Sequence, residues 1–327
     1  MKKNIIVGQS GGPTAVINAS LCGVIREGKC HPEQIGTVYG MINGIEGFLA
    51  GKYMDLSSGL SEEELELLKM TPAAFLGSCR FKLPEALSSE FYPTLFNKFE
   101  ELNIGYFFYI GGNDSMDTIK KLSDYAIVKG HGQKFLGVPK TIDNDLHGTD
   151  HCPGFGSAAK FIATSCMEVH QDLRVYDKGR VTIVEIMGRH AGWLAGSAAL
   201  ATYAGAGPDL VYLPEVPFRM EEFWQDVDRI YRQNGSCMVA VSEGVQYADG
   251  RFVAESGDRD VFGHTQLGGL GAMLAESVKR QTGAKVRSIE LSLLQRCASH
   301  VASKTDIDEA YMAGKAARSE EHTSELQ

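Results

Sequence analysis

The stretch KFLGVPKTIDNDL, residues 134–146, places charged side chains directly after an apolar run. Phe135 to Val138 have the composition of a buried strand. Four polar side chains follow, at what should be the exposed tip of that strand: Lys140, Thr141, Asp143 and Asp145. A lysine and two carboxylates in so short a loop predict acid–base or ligand-binding chemistry at the end of the strand.

The rest of the chain alternates short apolar runs with helical patterns. The predicted strands are 4–8, 106–110, 134–138, 181–186, 210–214, 237–243 and 286–291. The predicted helices are 14–26, 85–102, 115–128, 156–176, 190–203, 219–233, 266–282 and 305–317. This alternation predicts an α/β fold in which mainly parallel sheets lie between layers of helices. Ligands of such folds bind outside the carboxyl ends of the strands.

Composition and charge exclude several classes of function. The chain has 327 residues, a length that suggests about two domains. Its formal net charge of −9 argues against non-specific binding to nucleic acid or to an anionic membrane. The seven cysteines are scattered without CxxC spacing, which favours reduced thiols in a cytoplasmic protein over a zinc site. The amino terminus has too short an apolar run for a signal sequence, and no run is long enough to cross a bilayer.

Two glycine-rich loops follow predicted strands. Residues 10–12 (SGG) are expected to open the first helix, where backbone N–H groups and the helix dipole can bind an anion. A tight turn explains that loop equally well. The second loop, at 110–118, allows a ligand to approach Gly111 and Gly112 closely. Its polar residues are explained as well by capping of the next helix through Asn113, Asp114 or Ser115.

Cations recur at other strand ends of this acidic chain. Arg80 and Lys82 lie two residues apart in FLGSCRFKL, a spacing that projects both to one side of an extended segment. Arg189 follows the strand at 181–186. A solvated surface charge explains any one of these residues. Taken together, the glycine loops, the basic side chains and the carboxylates predict phosphoryl transfer.

Five motifs, in this order, resemble those of the phosphofructokinases: FLGSCRF, GGNDS, PKTIDND, MGRHAGW and SEG. The resemblance spans residues 4–317, and TIDND together with MGRH is its most specific part. It implies two interlocking three-layer α/β/α domains with the active site between them. It also implies a cytoplasmic enzyme that uses Mg²⁺ to phosphorylate the 1-hydroxyl of fructose 6-phosphate. The resemblance further implies a homodimer or homotetramer with shared active sites.

The resemblance assigns roles to individual residues. Asp143 would be the general base, Asp145 would assist with metal and geometry, and Arg189 would contact the transferring phosphoryl group. The residues expected to meet the phosphoryl donor are Gly12, Arg80, Gly112, Asp114 and Lys140. Those expected to meet the sugar phosphate are Thr141, Ile142, Asp143, Met187, Gly188, Arg189, Arg180, Glu243, Arg287 and Arg296. Some of these arginines would come from a neighbouring subunit.

Two positions indicate which phosphoryl donor is used. ATP-dependent members of the family have glycine where this chain has Asp114 and Lys140. A carboxylate at Asp114 would repel the α-phosphate of ATP, whereas Lys140 supplies a positive charge for pyrophosphate. The resemblance therefore favours the pyrophosphate-dependent branch, whose reaction is reversible and serves glycolysis and gluconeogenesis.

Two residues depart from the family pattern. Asn113 replaces a metal-binding aspartate, so Mg²⁺ ligation by Asn113 and Asp114 would depend mainly on the carboxylate. Leu293 replaces a histidine or tyrosine that touches the sugar phosphate. Two alternatives stay open: an ATP-dependent 6-phosphofructokinase, and a weakly active regulatory subunit that binds sugar phosphate. The presence of Asp143 and Arg189 favours an active enzyme.

The predicted domains are discontinuous in sequence. The larger domain, which would bind the phosphoryl donor, is predicted to comprise residues 1–154 and 295–304. The smaller domain, which would bind the sugar phosphate, is predicted to comprise residues 155–294 and 305–317. The last ten residues, 318–327, break the helical pattern and resemble a translated sequencing adapter. They are expected to be a non-native tail, with the natural protein continuing past Ala317.

Overall fold

The computed structural model describes residues 2–259 and 265–319, so most of the expected non-native tail lies outside the described residues. The strands are β1 (Lys3–Gln9), β2 (Ile35–Met41), β3 (Tyr53–Asp55), β4 (Ile104–Gly111), β5 (Lys134–Pro139), β6 (Val181–Ile186), β7 (Leu210–Tyr212), β8 (Cys237–Ser242), β9 (Glu255–Arg259), β10 (Thr265–Leu267) and β11 (Val286–Glu290). The α-helices are α1 (Ile17–Cys30), α2 (Gly44–Leu49), α3 (Glu62–Lys69), α4 (Phe91–Glu101), α5 (Asn113–Lys129), α6 (Phe155–Leu173), α7 (Trp193–Ser197), α8 (Met220–Asn234), α9 (Leu270–Thr282) and α10 (Lys304–Ser319). Within these ranges, none of the helices combines the length and the apolarity needed to span a bilayer.

The first sheet has the strand order β3-β2-β1-β4-β5 and is parallel except for β3. Successive residues of β1 point to opposite faces, as the pleat requires. Ile5 and Val7 pack in one hydrophobic cluster, and Ile6 packs in another on the opposite face. Both faces of this sheet are therefore covered, as expected of a parallel sheet between helices.

The second large sheet has the order β11-β6-β8-β7 and is parallel throughout. Every residue of β6 and β8 is buried, so these two central strands are covered on both faces. The strands β9 and β10 form a separate antiparallel pair. The predicted α/β class with mainly parallel sheets is confirmed.

The chain divides into two compact units. The first unit comprises Met1–Ile142, Leu146–Ser157 and the chain from Ala302 onward. The second comprises Asp143–Asp145 and Ala158–Val301. The units differ from the predicted domains at four segments: residues 155–157 and 305–317 belong to the first unit, and residues 143–145 and 295–301 belong to the second.

Close packing between α1 and α10 explains why residues 305–317 belong to the first unit. A Cβ atom on Gly23 would lie 2.2 Å from the carbonyl oxygen of Tyr311. On the facing helix, a Cβ atom on Gly314 would lie 2.0 Å from the carbonyl oxygen of Ser20. The backbones of the two helices thus touch at two glycines, which no sequence pattern in either helix reveals.

Residues 295–301 join the second unit through Gln295, which follows β11 in a 3₁₀-helix at Ser292–Arg296. The Gln295 side chain is buried, and its Oε1 accepts a hydrogen bond from the backbone N–H of Met187 at 3.2 Å. This contact fixes the segment beside the carboxyl end of β6.

Several elements differ from the prediction in existence or in extent. The strands β2, β3, β9 and β10 and the helix α2 were not among the predicted elements. The sequence of β2, IGTVYGM, contains two glycines, which obscure the apolar pattern of a strand. The helix predicted at 85–102 begins only at Phe91, and the helix predicted at 266–282 begins only at Leu270.

The contact between α1 and α10 predicts a stability defect for Gly23→Ala. The added methyl group must push the helices apart, which should lower the free energy of unfolding by about 1–3 kcal/mol. Denaturant unfolding followed by circular dichroism measures this change. Gly196→Ala is the matched control, because Gly196 is also helical but has no atom within 4 Å of the added Cβ. Equal stability of the Gly23→Ala protein and the wild type would contradict this packing.

Candidate functional site

The carboxyl ends of β1, β4 and β5 meet at one edge of the first sheet. The backbone N–H of Ser10, just after β1, donates to the carbonyl oxygen of Ile110 at 3.0 Å. The backbone N–H of Lys140, just after β5, donates to the carbonyl oxygen of Gly111 at 3.0 Å. The two glycine loops and the start of the 140–145 loop therefore lie side by side within the first unit.

The side chain of Lys140 contacts the first glycine loop. The Lys140 side chain is buried, and its ammonium donates to the carbonyl oxygen of Gly12 at 2.6 Å. The prediction that residues 10–12 open a helix is wrong, because α1 begins only at Ile17. This loop thus supplies a carbonyl oxygen that binds the Lys140 ammonium, and it does not form the N-terminus of a helix.

Arg80 follows a segment that runs alongside the first glycine loop. The backbone N–H of Gly11 donates to the carbonyl oxygen of Cys79 at 3.4 Å, and Ser78 Oγ donates to the carbonyl oxygen of Gly11 at 2.7 Å. Arg80 itself is exposed. The structure therefore brings Arg80 near the same strand ends as Lys140, as the sequence predicts for residues that bind one ligand.

The second glycine loop opens α5 without a side-chain cap. Gly112, which has no side chain, is the N-cap residue, so Asn113, Asp114 and Ser115 lie inside the helix. Asn113 and Asp114 are both exposed in the first turn. The interpretation of these residues as helix caps is therefore wrong. A Cβ atom on Gly111 would lie 1.8 Å from Ser115 Oγ, so only glycine fits at the end of β4.

Mg²⁺ prefers oxygen ligands and is commonly held by one or two carboxylates together with phosphate oxygens of the substrate. The exposed amide of Asn113 and carboxylate of Asp114 offer oxygens of this kind at one helix start. Within the described ranges, no group of three or more histidine, cysteine, aspartate or glutamate side chains is placed to hold a metal. The residues present thus fit an ion whose remaining ligands come from the substrate.

In the second unit, the ends of β6 and β8 pack tightly around Gly188. Its φ of +129° lies in a region that side-chain-bearing residues rarely adopt. Ser242 Oγ donates to the Gly188 carbonyl oxygen at 2.6 Å, and the Gly188 N–H donates to Glu243 Oε1 at 3.3 Å. A Cβ atom on Gly244 would lie 2.0 Å from the carbonyl oxygen of Arg189. The loop that follows β6 is therefore fixed by contacts with the end of β8.

Three predicted site residues of the second unit interact electrostatically. The pKa of Glu243 is raised to about 7, mainly by burial and also by the Asp143 carboxylate, whereas the Gly188 N–H and the Arg189 guanidinium oppose the increase. Arg189 Nε is buried and has no hydrogen-bond partner among the described residues. A buried N–H without a partner is unusual in a folded protein and fits a ligand that supplies the missing acceptor. The structure thus brings Asp143, Arg189 and Glu243 together beside Gly188.

The segment around Asp143 is held by the backbone. The Thr141 N–H donates to the carbonyl oxygen of Pro153 at 3.2 Å, and Thr141 forms a β-bridge with Gly154. Asn144 is buried and adopts a left-handed conformation with a φ of +56°. Ile142 and Asn144 are buried, whereas Asp145 is exposed.

The predicted arginines of the sugar-phosphate site lie at two different edges of the second sheet. Arg296 follows β11 at its carboxyl end. Arg180 precedes β6 and Arg287 lies near the start of β11, where Val286 pairs with Val181. The six residues of β6 span about 20 Å, so Arg180 is separated by that length from Gly188. Within one chain, Arg180 and Arg287 are therefore not brought together with the other predicted site residues.

The sequence analysis missed three polar residues that shape this region. Gln295 and Ser242 hold the loop after β6, as described above. Glu185 lies buried within β6, and its Oε2 accepts a hydrogen bond from the backbone N–H of Gly271 at 2.7 Å. A glutamate inside the apolar run VTIVEI was a signal that could have identified Glu185. Nothing in the local sequence singles out Gln295.

Comparisons with known proteins agree with the motifs. The family model described as phosphofructokinase matches residues 4–318. The chain is 46% identical over 318 residues to the pyrophosphate–fructose 6-phosphate 1-phosphotransferase of Methylococcus capsulatus, covering 96% of this chain and 76% of that protein. It is 31% identical over 288 residues to the ATP-dependent 6-phosphofructokinase of Corynebacterium efficiens, covering 88% of this chain and 78% of that protein.

A solved structure also resembles this chain. The pyrophosphate-dependent phosphofructokinase from Nitrosospira multiformis superposes with a TM-score of 0.87 at 39% sequence identity. The similarity covers 98% of this chain and 77% of that one. The fold and the motifs therefore agree over nearly the whole length of the chain.

The half-buried Glu243 predicts a pH-dependent stability difference for Glu243→Gln. Because its pKa is higher in the folded state, this carboxyl stabilises the folded protein at acidic pH, and that contribution is lost as the pH rises through about 7. The free energy of unfolding of Glu243→Gln, measured without ligand, should therefore increase relative to wild type between about pH 5 and about pH 8. The exposed Glu276→Gln is the control for loss of one charge. The same pH dependence in both variants would contradict the prediction.

Proposed function

This chain belongs to the phosphofructokinase family, and we propose that it transfers a phosphoryl group from pyrophosphate to the 1-hydroxyl of fructose 6-phosphate. The products are fructose 1,6-bisphosphate and phosphate, and the reaction is reversible. The relative from Methylococcus capsulatus, which is named for this reaction, supports the proposal. The observation that carries the choice of phosphoryl donor is the buried Lys140 at the first glycine loop. We place the reaction in cytoplasmic glycolysis and gluconeogenesis.

The residues at the phosphoryl-donor site favour pyrophosphate over ATP. Lys140 places a fixed positive charge beside Gly12, where it can stabilise the negative charge that develops on the departing phosphate. Asp114 places a carboxylate in the first turn of α5, at the helix end that would otherwise attract a further phosphate. The α-phosphate of a nucleotide needs space and positive charge. The Asp114 carboxylate occupies part of that space and repels the phosphate. Gly12, Gly112 and Arg80 complete the proposed contacts to the phosphoryl donor.

The residues of the second unit provide the acceptor chemistry. We assign Asp143 as the general base that takes the proton of the 1-hydroxyl while the hydroxyl oxygen forms a bond to the terminal phosphorus of pyrophosphate. The bond from that phosphorus to the bridging oxygen breaks, and its electron pair leaves with phosphate. The guanidinium of Arg189 stabilises the transferring group. Glu243, together with Met187 and Gly188, would bind the sugar.

Metal binding would involve the oxygens of Asn113 and Asp114, with Asp145 assisting. A bound Mg²⁺ supplies neutralisation of phosphate charge. The role of Asn113 and Asp114 would be to hold the ion at the start of α5, and the exposed position of both side chains leaves room for a ligand. Thr141 and Ile142 would hold the reacting groups through the backbone beside the base.

The opposite positions of the arginines support a shared active site. Arg180 and Arg287 lie at the amino ends of β6 and β11, whereas Arg296 and Glu243 lie at the carboxyl ends. We propose that Arg180 and Arg287 of one subunit bind the sugar 6-phosphate in the site of a neighbouring subunit, in a homodimer or homotetramer. Arg296 would bind the same phosphate from within the subunit.

The choice of phosphoryl donor is tested by comparing pyrophosphate with ATP at equal concentrations of fructose 6-phosphate and Mg²⁺. We expect phosphate release with pyrophosphate and at most weak turnover with ATP. The double variant Asp114→Gly/Lys140→Gly should lose pyrophosphate activity and gain ATP activity, because it removes the repelling carboxylate and the lysine. Asp117→Asn, which removes an exposed carboxylate from the same helix, is the matched control and should keep the preference. Equal or higher activity of the wild type with ATP would refute the donor assignment. Sugar-phosphate binding without turnover of either donor would instead indicate a regulatory subunit.

The shared site predicts complementation between two weakly active variants. Asp143→Asn should lower kcat by ~10²–10⁴-fold, the usual effect of removing a general base. Arg287→Ala should raise the KM for fructose 6-phosphate. Co-expression of the two variants should restore activity, because mixed oligomers contain one site with both native residues. Arg280→Ala, which removes an exposed guanidinium from α9, should remain active alone. If the mixed oligomers regain no activity, the site is not shared through Arg287.

A further inference from the structure

The Asp306 carboxylate, in the first turn of α10, is buried and accepts two backbone hydrogen bonds. Its Oδ1 accepts from the N–H of Gly154 at 2.8 Å, and its Oδ2 accepts from the N–H of Ser157 at 2.8 Å. A buried carboxylate is costly unless its oxygens are hydrogen-bonded, and here both oxygens are. Asp306 is therefore built into the segment 153–157 rather than placed on the surface.

This segment is joined directly to the loop that carries the proposed base. Gly154 forms a β-bridge with Thr141, and the Thr141 N–H donates to Pro153 at 3.2 Å. Thr141 lies two residues before Asp143 in sequence. The Asp306 side chain is thus linked to the 140–145 loop through the backbone of Gly154.

Gly154 leaves this arrangement little freedom to relax. Its φ is +112°, which side-chain-bearing residues rarely adopt, and a Cβ atom would lie 2.7 Å from Thr14 Cγ2. Thr14 is itself buried just after the first glycine loop. Gly154 is consequently held between Asp306 and Thr14, and a displacement of its backbone would be transmitted to Thr141.

The beginnings of α6 and α10 also hold each other. Ser157 Oγ, in the first turn of α6, accepts a hydrogen bond from the N–H of Ser303 at 3.1 Å. Ser303 precedes α10, and its carbonyl oxygen accepts from the N–H of Ile307 at 3.0 Å. Asp306 in turn places its negative charge at the start of α6, where the helix dipole favours it. Each of the two helix starts thus accepts a backbone hydrogen bond from the other, so Asp306 has one defined position.

We propose that Asp306 is a positioning residue for phosphoryl transfer, holding Thr141 and thereby the proposed base in the geometry of reaction. The catalytic part of this proposal rests on the proposed function, and the structural part does not. Catalysis is sensitive to small displacements of reacting groups, so loss of this anchor should reduce turnover without removing any group that touches a substrate.

The test compares Asp306→Ala and Asp306→Asn with Glu309→Gln in the full chain. Glu309 lies on the same helix and contacts His151, two residues before that segment, at 2.6 Å, but both side chains of this pair are about half exposed. Such a surface pair contributes little, so Glu309→Gln is the matched control. Asp306→Asn keeps one acceptor oxygen but turns an NH₂ group toward a backbone N–H, and should be intermediate.

Two measurements are made on variants shown by circular dichroism to be folded at the assay temperature. First, Asp306→Ala should lower kcat with pyrophosphate by about 10–100-fold, with little change in the KM values. Second, hydrogen–deuterium exchange should be faster in the peptide covering residues 139–146. Glu309→Gln should change neither. If Asp306→Ala does not fold, Asp306→Asn provides the same comparison.

The two measurements separate the possible outcomes. A kcat of Asp306→Ala within about twofold of wild type overturns the catalytic part of the proposal. Unchanged exchange at 139–146 overturns the proposal altogether, even if kcat falls, because the anchor would then act by another route. If the wild type has no activity with either phosphoryl donor, the proposed function fails, and the exchange measurement still decides whether Asp306 holds the loop.

Discussion

The hydrogen bond from the Lys140 ammonium to the carbonyl oxygen of Gly12 is the contact on which the first unit's site depends. It joins the loop after β5 to the loop after β1, with β4 lying between those strands. Because the lysine is buried, its charge is poorly screened by water and acts strongly on any neighbouring anion. The first glycine loop therefore matters chiefly because its backbone can approach this side chain, and the parallel sheet makes that approach possible.

The second unit differs in that it contains carboxylates shielded from water. Glu185 is buried and Glu243 is half-buried, and loss of contact with water raises the pKa of each. Backbone N–H groups of Gly271 and Gly188 offset part of that cost by donating to them. Such a surface suits neutral hydroxyl groups better than phosphate. The second unit thus offers hydrogen-bond acceptors beside Arg189, which suits a sugar that carries both hydroxyl groups and a phosphate.

The sequence was sufficient for features that depend on local pattern. The strands β1, β4, β6 and β8 are recognisable as mainly apolar runs. Within each of the two parallel sheets, the loops that follow neighbouring strands lie at the same edge. The sequence was insufficient for contacts between segments that lie far apart in the chain. The place of α10 depends on Gly23 and Gly314, which lie far apart in the chain, and the role of Gln295 depends on a single hydrogen bond to Met187. The position of Arg180 at the edge opposite to Arg189 was predictable, because Arg180 precedes β6 and Arg189 follows the same strand.

The net charge of −9 makes the local arrangement decisive for anion binding. The overall field of the chain repels a polyanion, so affinity must come from fixed groups at short range, where Lys140 and the start of α5 act. Asp114 lies at that helix start and cancels part of its attraction. A phosphoryl donor with one phosphate beyond the transferring group then loses little, whereas a longer one meets the carboxylate. In the proposed function, selectivity therefore follows from where a single negative charge is placed within an attractive site, and it requires no difference in the fold.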